Sequence, residues 1–269
     1  MVNFLVESLP TWALAFLIVG GTMVLSLVGF LVVVKFHIHA PDHSSDAMAS
    51  GFVVLTSTLL GVLLVFVVVS LYEEYLSAKD SVRSEATALA QLVRDGWAFP
   101  APVESALDCR IAAYIREVRG NEWALMAKER SSPRALSMVE RLYTTVSRYD
   151  PHSARERTFY RDGVNHLDDL VSARRTRLQH VEGAIPAPLW LLLVVAAAVA
   201  LLTTYTFAQA HARTQLLLVA LSSGLIGTSF LVAMLLDYPF AGAIAVSSGP
   251  FHQGVLGHLC SLTSCSPCP

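Results

Sequence analysis

Hydrophobic positions along the chain gather into four long runs: Trp12 to Val34, Gly51 to Leu71, Trp190 to Phe207 and Gln215 to Leu236. Each is close to the ~20 residues that a helix needs to cross a hydrocarbon core of about 30 Å. None contains Asp, Glu, Lys, Arg or His; Lys35, Glu73, Glu74, His211, Arg213 and Asp237 all stand at or beyond an end. Soluble core helices are rarely apolar on every face over such a length, so the pattern predicts four membrane-spanning helices, two on either side of a long charged interval.

Inside that interval the period changes. Leu107, Ile111, Tyr114, Ile115 and Val118 recur at helical spacing, as do Leu136, Val139, Leu142, Tyr143 and Val146, and again Tyr160, Val164, Leu167, Val171 and Leu178. Nothing alternates as a strand does. Ala98 to Pro102 reads as a break, and Ser132 before Pro133 as a helix start with an N-cap and a proline at the first helical position. No Pro or Gly falls between Val62 and Asp95. One helix is therefore expected to leave the second span and continue to near Arg94, a rod of roughly 50 to 60 Å at 1.5 Å per residue. The expected architecture is an all-α integral membrane protein: spans one and two in residues 1–72, a helical domain in 73–186, spans three and four in 187–246, and a C-terminal tail in 247–269.

Composition agrees with the runs, at 54% hydrophobic residues and a mean hydropathy of +0.54. The net charge of −2 and the even mixture of acids and bases in the middle interval create no single-sign field, so nucleic acid is not an expected partner. Four crossings put both termini and the interval on one side. That side carries Lys79, Arg83, Arg174, Arg175 and Arg177 near the bilayer, against only Lys35 and Arg213 on the other. The positive-inside bias therefore places the termini and the large domain in the cytoplasm of a multi-pass inner-membrane protein. The first run is too long for a signal peptide and is read as an uncleaved span. Cys109 lies in the interval and Cys260, Cys265 and Cys268 in the last ten residues, so no disulfide framework is expected in a reducing compartment.

Candidate chemistry is sparse. No phosphate-binding glycine loop, zinc-protease pair or serine-nucleophile elbow occurs in the interval, so neither an enzyme with catalytic residues nor a cofactor is expected. The loop from His37 through His39, Asp42 and His43 to Asp46 is either a transition-metal site or a plain polar loop; the plain loop is the commoner outcome and no metal is assigned. The tail from His258 to Cys268 is likewise a zinc knot, a lipid attachment point or an ordinary end. On the second span, Ser57, Gly61, Leu64 and Val68 share one narrow sector. That stripe either lines a pore, with Leu64 and Val68 as the constriction and Glu73 and Glu74 at the mouth, or packs against a neighbouring helix. On the fourth span, Ser223 and Gly227 have the small-xxx-small spacing of close helix contact. Asp237 at its end is expected to pair with Arg174 or Arg177.

The closing segment Leu236-Asp237-Tyr238-Pro239-Phe240-Ala241-Gly242 resembles a motif of the bestrophin-like domain family. Gly61 and Phe66, Glu85-Ala86 with Arg94, Glu122-Trp123, Arg174 and Arg177, and Pro186 with Trp190 extend the resemblance from the first span to about Val246. It implies four spans with a helical cytoplasmic domain. More distantly it implies the bestrophin arrangement, in which subunits assemble as pentamers around an anion pore lined by the second span. Leu63 to Val68 stands here where a bestrophin carries consecutive aromatic residues, no clustered acids form a calcium clasp, and Glu73 and Glu74 favour cations. The expected function is a homo-oligomeric channel passing small inorganic ions through the lipid bilayer, gated through the cytoplasmic domain, with Asp237, Arg174 and Arg177 as structural or gating contacts. The alternative is a membrane-anchored interaction or sensing scaffold without a pore.

Overall fold

The computed structural model describes residues 10–35, 46–205 and 212–261, and among these every regular element is helical. The chain runs through α1 (Thr11–Ala15), a π-helical turn (Phe16–Gly20), α2 (Gly21–Lys35) and the 51-residue α3 (Asp46–Gly96). Then follow α4 (Ala101–Glu117), a second π-helical turn (Val118–Glu122), α5 (Trp123–Met126), α6 (Pro133–Ser147) and α7 (Ala154–Gln179). The chain closes with α8 (Ala187–Tyr205), α9 (Ala212–Asp237), a 3₁₀ turn (Gly249–His252) and α10 (Gly254–Ser261). Among the described residues, four stretches are long and apolar enough to cross a membrane: Trp12–Lys35, Val54–Gly96, Ala187–Tyr205 and Thr214–Asp237. The described residues group into two compact units. The first takes those up to Glu74 with 183–237 and 242–244; the second takes 75–182, 238–241 and those from Ala245 onward.

In the first unit α9 packs on α2 and its preceding π turn. Gly227 makes the approach possible, because a Cβ there would lie 2.2 Å from Thr22 Oγ1 and 3.1 Å from Val19 Cα. The Thr22 hydroxyl donates to the Val19 carbonyl at 2.9 Å, giving a partner to a group in a π turn, where the regular i to i+4 ladder is broken. Further along α2, Ser26 Oγ shares a hydrogen bond of 2.8 Å with Tyr205 OH of α8, and Phe30, Tyr205 and Val219 form a small core. A second core joins Leu60 of α3 to Ala197, Ala200 and Ile226. Large apolar side chains such as Leu25, Leu191, Leu217 and Leu225 face outward, as expected of helices whose solvent is hydrocarbon.

The second unit has an ordinary interior. Val82, Leu89 and Leu92 of α3 meet Leu107, Ile111 and Ile115 of α4, Leu142 of α6 and Leu167 and Leu170 of α7. Ser132 caps α6 by accepting the Ala135 amide at 3.2 Å, where Pro133 fills the first helical position. Two residues of the expected stripes, Leu136 and Val171, stay exposed and line a groove with Val139 and Leu178. The segment read as a tail supplies Phe251, Leu256 and Leu259 to the core. Cys109 is disulfide-bonded, which the cytoplasmic reading of the cysteines did not anticipate. The histidine loop and most of the cysteine-rich end lie outside the described residues.

Candidate functional site

The buried face of α3 in the second unit is mostly apolar, with Ser81 and Asp95 buried toward its two ends and one acid in its middle. Between Val82 and Leu89 it carries Glu85, fully enclosed. An isolated carboxylate in such a place is very costly, so it must be paired and hydrogen-bonded. Arg177 of α7, also fully buried, supplies the pairing: Nε donates to Glu85 Oε2 at 2.6 Å and Nη2 to Oε1 at 3.1 Å, a two-pronged geometry that lysine lacks. Tyr114 OH of α4 donates to the same carboxylate at 2.6 Å.

The network extends through Glu122, which accepts from Arg177 Nη2 at 2.8 Å, from the Ser132 amide at 3.2 Å and from Arg174 Nη2. Ser132 in turn donates its hydroxyl to Glu117 at 2.7 Å, and Asn121 donates to that carboxylate at 2.8 Å. The π-helical turn Val118–Glu122 sets this geometry: its extra residue shifts the phase of the helix between Glu117 and Trp123. Arg177 then lies 5.5 Å over the Trp123 ring. The ring's edge meets Phe240 and Phe251, and its N–H donates to the Val246 carbonyl at 3.2 Å.

Two carboxylates and two guanidiniums make the centre of this cluster neutral. Burial pushes the Tyr114 phenol well above its usual range and the Glu85 charge adds to the effect, so the hydroxyl keeps its proton and remains a donor. For Arg177, burial disfavours the charge, but Glu85, Tyr114 and Glu122 together outweigh it, and the guanidinium is held even more firmly protonated than usual. Burial also acts against the Glu117 charge, yet hydrogen bonds from Asn121 and Ser132 and the Arg134 charge bring its pKa below the ordinary value. Groups locked in this way suit positioning rather than proton transfer.

Asp237, at the end of α9, accepts the Ile185 amide at 2.9 Å and so fixes the chain just before α8. Arg174 and Arg177, expected as its partners, direct their donors to Glu122 and Glu85. Along α3, Ser57 and Gly61 are exposed and a Cβ on Gly61 would meet nothing within 4 Å. Leu64 and Val68 are half-buried, Leu64 against the Leu60 core. Glu73 is exposed and Glu74 half-buried on the same unbroken helix. Among the described residues, no three His, Cys, Asp or Glu gather as metal ligands would.

These features define a class: an all-α protein with four membrane-spanning helices and an inserted helical unit closed around a neutral arginine–carboxylate cluster. The chain belongs to the bestrophin-like family, whose domain, the Bestrophin-like domain, matches residues 20–251. No curated protein matches it in sequence. Among solved structures it is similar to a bacterial bestrophin homologue from Klebsiella pneumoniae, with a TM-score of 0.64 at 14% identity, covering 92% of this chain and 94% of that one. A point variant of that homologue gives 0.64 at 16% identity over 89% and 93% of the two chains. Another crystal structure, described only as a membrane protein, gives 0.64 at 14% identity over 94% and 95%. At such identities the likeness is one of fold.

Proposed function

We propose that the chain is the subunit of a homo-oligomeric ion channel of the inner membrane, in which α3 lines the conducting path. The observation that carries this reading is the face of α3 that its own chain leaves uncovered, where Ser57 and Gly61 stand open among the large apolar side chains of the span. A single such helix cannot enclose an aqueous path; several copies around an axis can, as its bestrophin-like membership suggests. In this reading Leu64 and Val68 form an apolar constriction that gates by dewetting, and Glu73 and Glu74 ring the mouth and favour cations. The unbroken run of α3 into the second unit gives a route for gating, with Arg174, Arg177 and Asp237 holding the ends of the helices that must move together. The basic residues after the second span and before the third support a cytoplasmic location for the second unit and both termini.

Purified protein in liposomes under an ion gradient tests this directly. Passive flux is expected, raised by Leu64→Ala and shifted away from cations by Glu73→Gln with Glu74→Gln. Absence of flux across voltage, pH and calcium would overturn the channel and leave the alternative of a membrane-anchored scaffold whose helical unit recruits a partner.

A further inference from the structure

The second unit also presents a concave surface of one sign. A groove of about 740 Å³ runs between the stretch of α3 from Tyr75 to Arg94 and the segment Ala245–Leu256. Lys79, Arg83 and Arg94 line it, and no Asp or Glu does. Lys79 and Arg94 make no ion pair with any described residue. Arg83 pairs only with Asp80, at 3.1 Å between two largely exposed side chains, a contact that exchanges readily with solvent. Three cations beside a wall that offers no counter-charge are electrostatically incomplete.

The remaining lining chemistry suits an oxygen-rich anion. Thr87 and Gln253 present side-chain donors from opposite walls. Ser247 Oγ already accepts the Gly249 amide at 3.1 Å, which leaves its own proton for another acceptor. Ala86 and Ala90 keep the α3 wall low, so a ligand can lie along the helix. Lys79 and Arg83 are one turn apart, about 6 Å along the axis, and Arg94 stands roughly 16 Å further on. The charges therefore form a rail rather than a point. A lone carboxylate would use one end of it, whereas an extended anion with several tetrahedral oxygens uses its length, the guanidiniums binding in the paired mode and the lysine as a point charge.

We propose that this groove binds a phosphorylated anion, with Lys79, Arg83 and Arg94 neutralising it and Thr87, Ser247 and Gln253 donating to its oxygens. The site stands independently of the channel reading. Two sources carry the chemistry: a soluble phosphate compound, or the headgroup of an anionic phospholipid. Lys79 is eight residues beyond Leu71, about 12 Å along α3 from the end of the apolar run, and so within reach of an interfacial headgroup.

Two arms test the site on the full chain. In neutral detergent, isothermal titration calorimetry with tripolyphosphate reads the soluble source. In nanodiscs of phosphatidylcholine doped with phosphatidylglycerol, native mass spectrometry counts retained anionic lipid. The expected result is saturable binding of one ligand per chain in at least one arm, weakening steeply with salt. It should fall about tenfold or more when Lys79→Gln, Arg83→Gln and Arg94→Gln are combined. Arg83→Lys, which keeps the charge, should lose only a few-fold. Should the triple variant fold poorly, Arg94→Gln alone, at an exposed position, should still weaken binding measurably. Binding in neither arm, or binding unchanged by removal of the cations, would overturn the proposal.

Discussion

Removing the Arg177 side chain would leave Glu85 without a counter-charge in an interior that reaches no solvent, while Glu122 would keep Arg174. Arg177→Met should therefore destabilise the second unit by about 3–5 kcal/mol. Adding Glu85→Gln should restore part of the loss, since the cost lies in unpaired charge rather than in lost volume. Thermal unfolding of the detergent-solubilised protein, followed by near-ultraviolet circular dichroism, measures both. Asp108 is a smaller case of opposite character. Its Oδ1 is buried without a partner, and burial, helped by the Glu104 charge, pushes its pKa from 3.8 up to about 6. Below pH 4 both folded and unfolded chains hold this proton; between 4 and 6 only the folded chain does, and stability falls as pH rises. Asp108→Asn should thus stabilise the protein by about 1 kcal/mol above pH 6, after allowance for partial solvent screening, with the gain fading toward pH 4. Unfolding midpoints across that range would show it. Glu85, Arg174 and Arg177 were legible as motif residues, and each falls on the apolar face of its helix, the signal that a buried charge leaves in a sequence. Their convergence with Glu122 was not legible, because the π-helical turn before Trp123 breaks the regular period on which such phase arguments rest. The Ile185 partner of Asp237 was equally hidden, being a main-chain amide with no side-chain signature.

At the scale of elements, glycine separates packing from openness. Gly227→Ala forces a Cβ against Thr22 and the Val19 backbone, and backbone cannot swing aside; a loss of about 1–3 kcal/mol is expected. Gly61→Ala meets open space, so it should leave stability unchanged or raise it by up to ~1 kcal/mol. Any change in ion flux from it then reports on the path and not on folding. Thermal unfolding of both variants beside the parent provides the comparison. Helix positions were largely readable: the four apolar runs and the start at Pro133 reappear in the structure, and the break expected over Ala98 to Pro102 falls at residues 97–100. Length and hydropathy define a span, and caps and prolines define ends, without reference to distant residues. The 3₁₀ turn and α10 were missed because they are short and close to a chain end, where local pattern carries little information and only burial of Phe251, Leu256 and Leu259 shows that they are core.

At the scale of the molecule, the number of copies is the quantity that the sequence leaves open, since the same exposed stripe serves a pore, a lipid face or a helix contact. A closed ring with one α3 per subunit needs more than two chains. Native mass spectrometry of the detergent-purified protein is expected to give a single assembly of four or more; a monomer or dimer would favour the scaffold. The buried cluster bears on how such an assembly can respond. Glu85, Tyr114, Glu122, Ser132, Arg174 and Arg177 come from α3, α4, the second π turn, the cap of α6 and α7, and the charges of the acids and arginines are balanced within the cluster. No one of these elements can peel away without stranding ions in a dry interior. The second unit should consequently melt in one cooperative step, without frayed intermediates, and should pass force or displacement along its length as a solid body rather than absorb it.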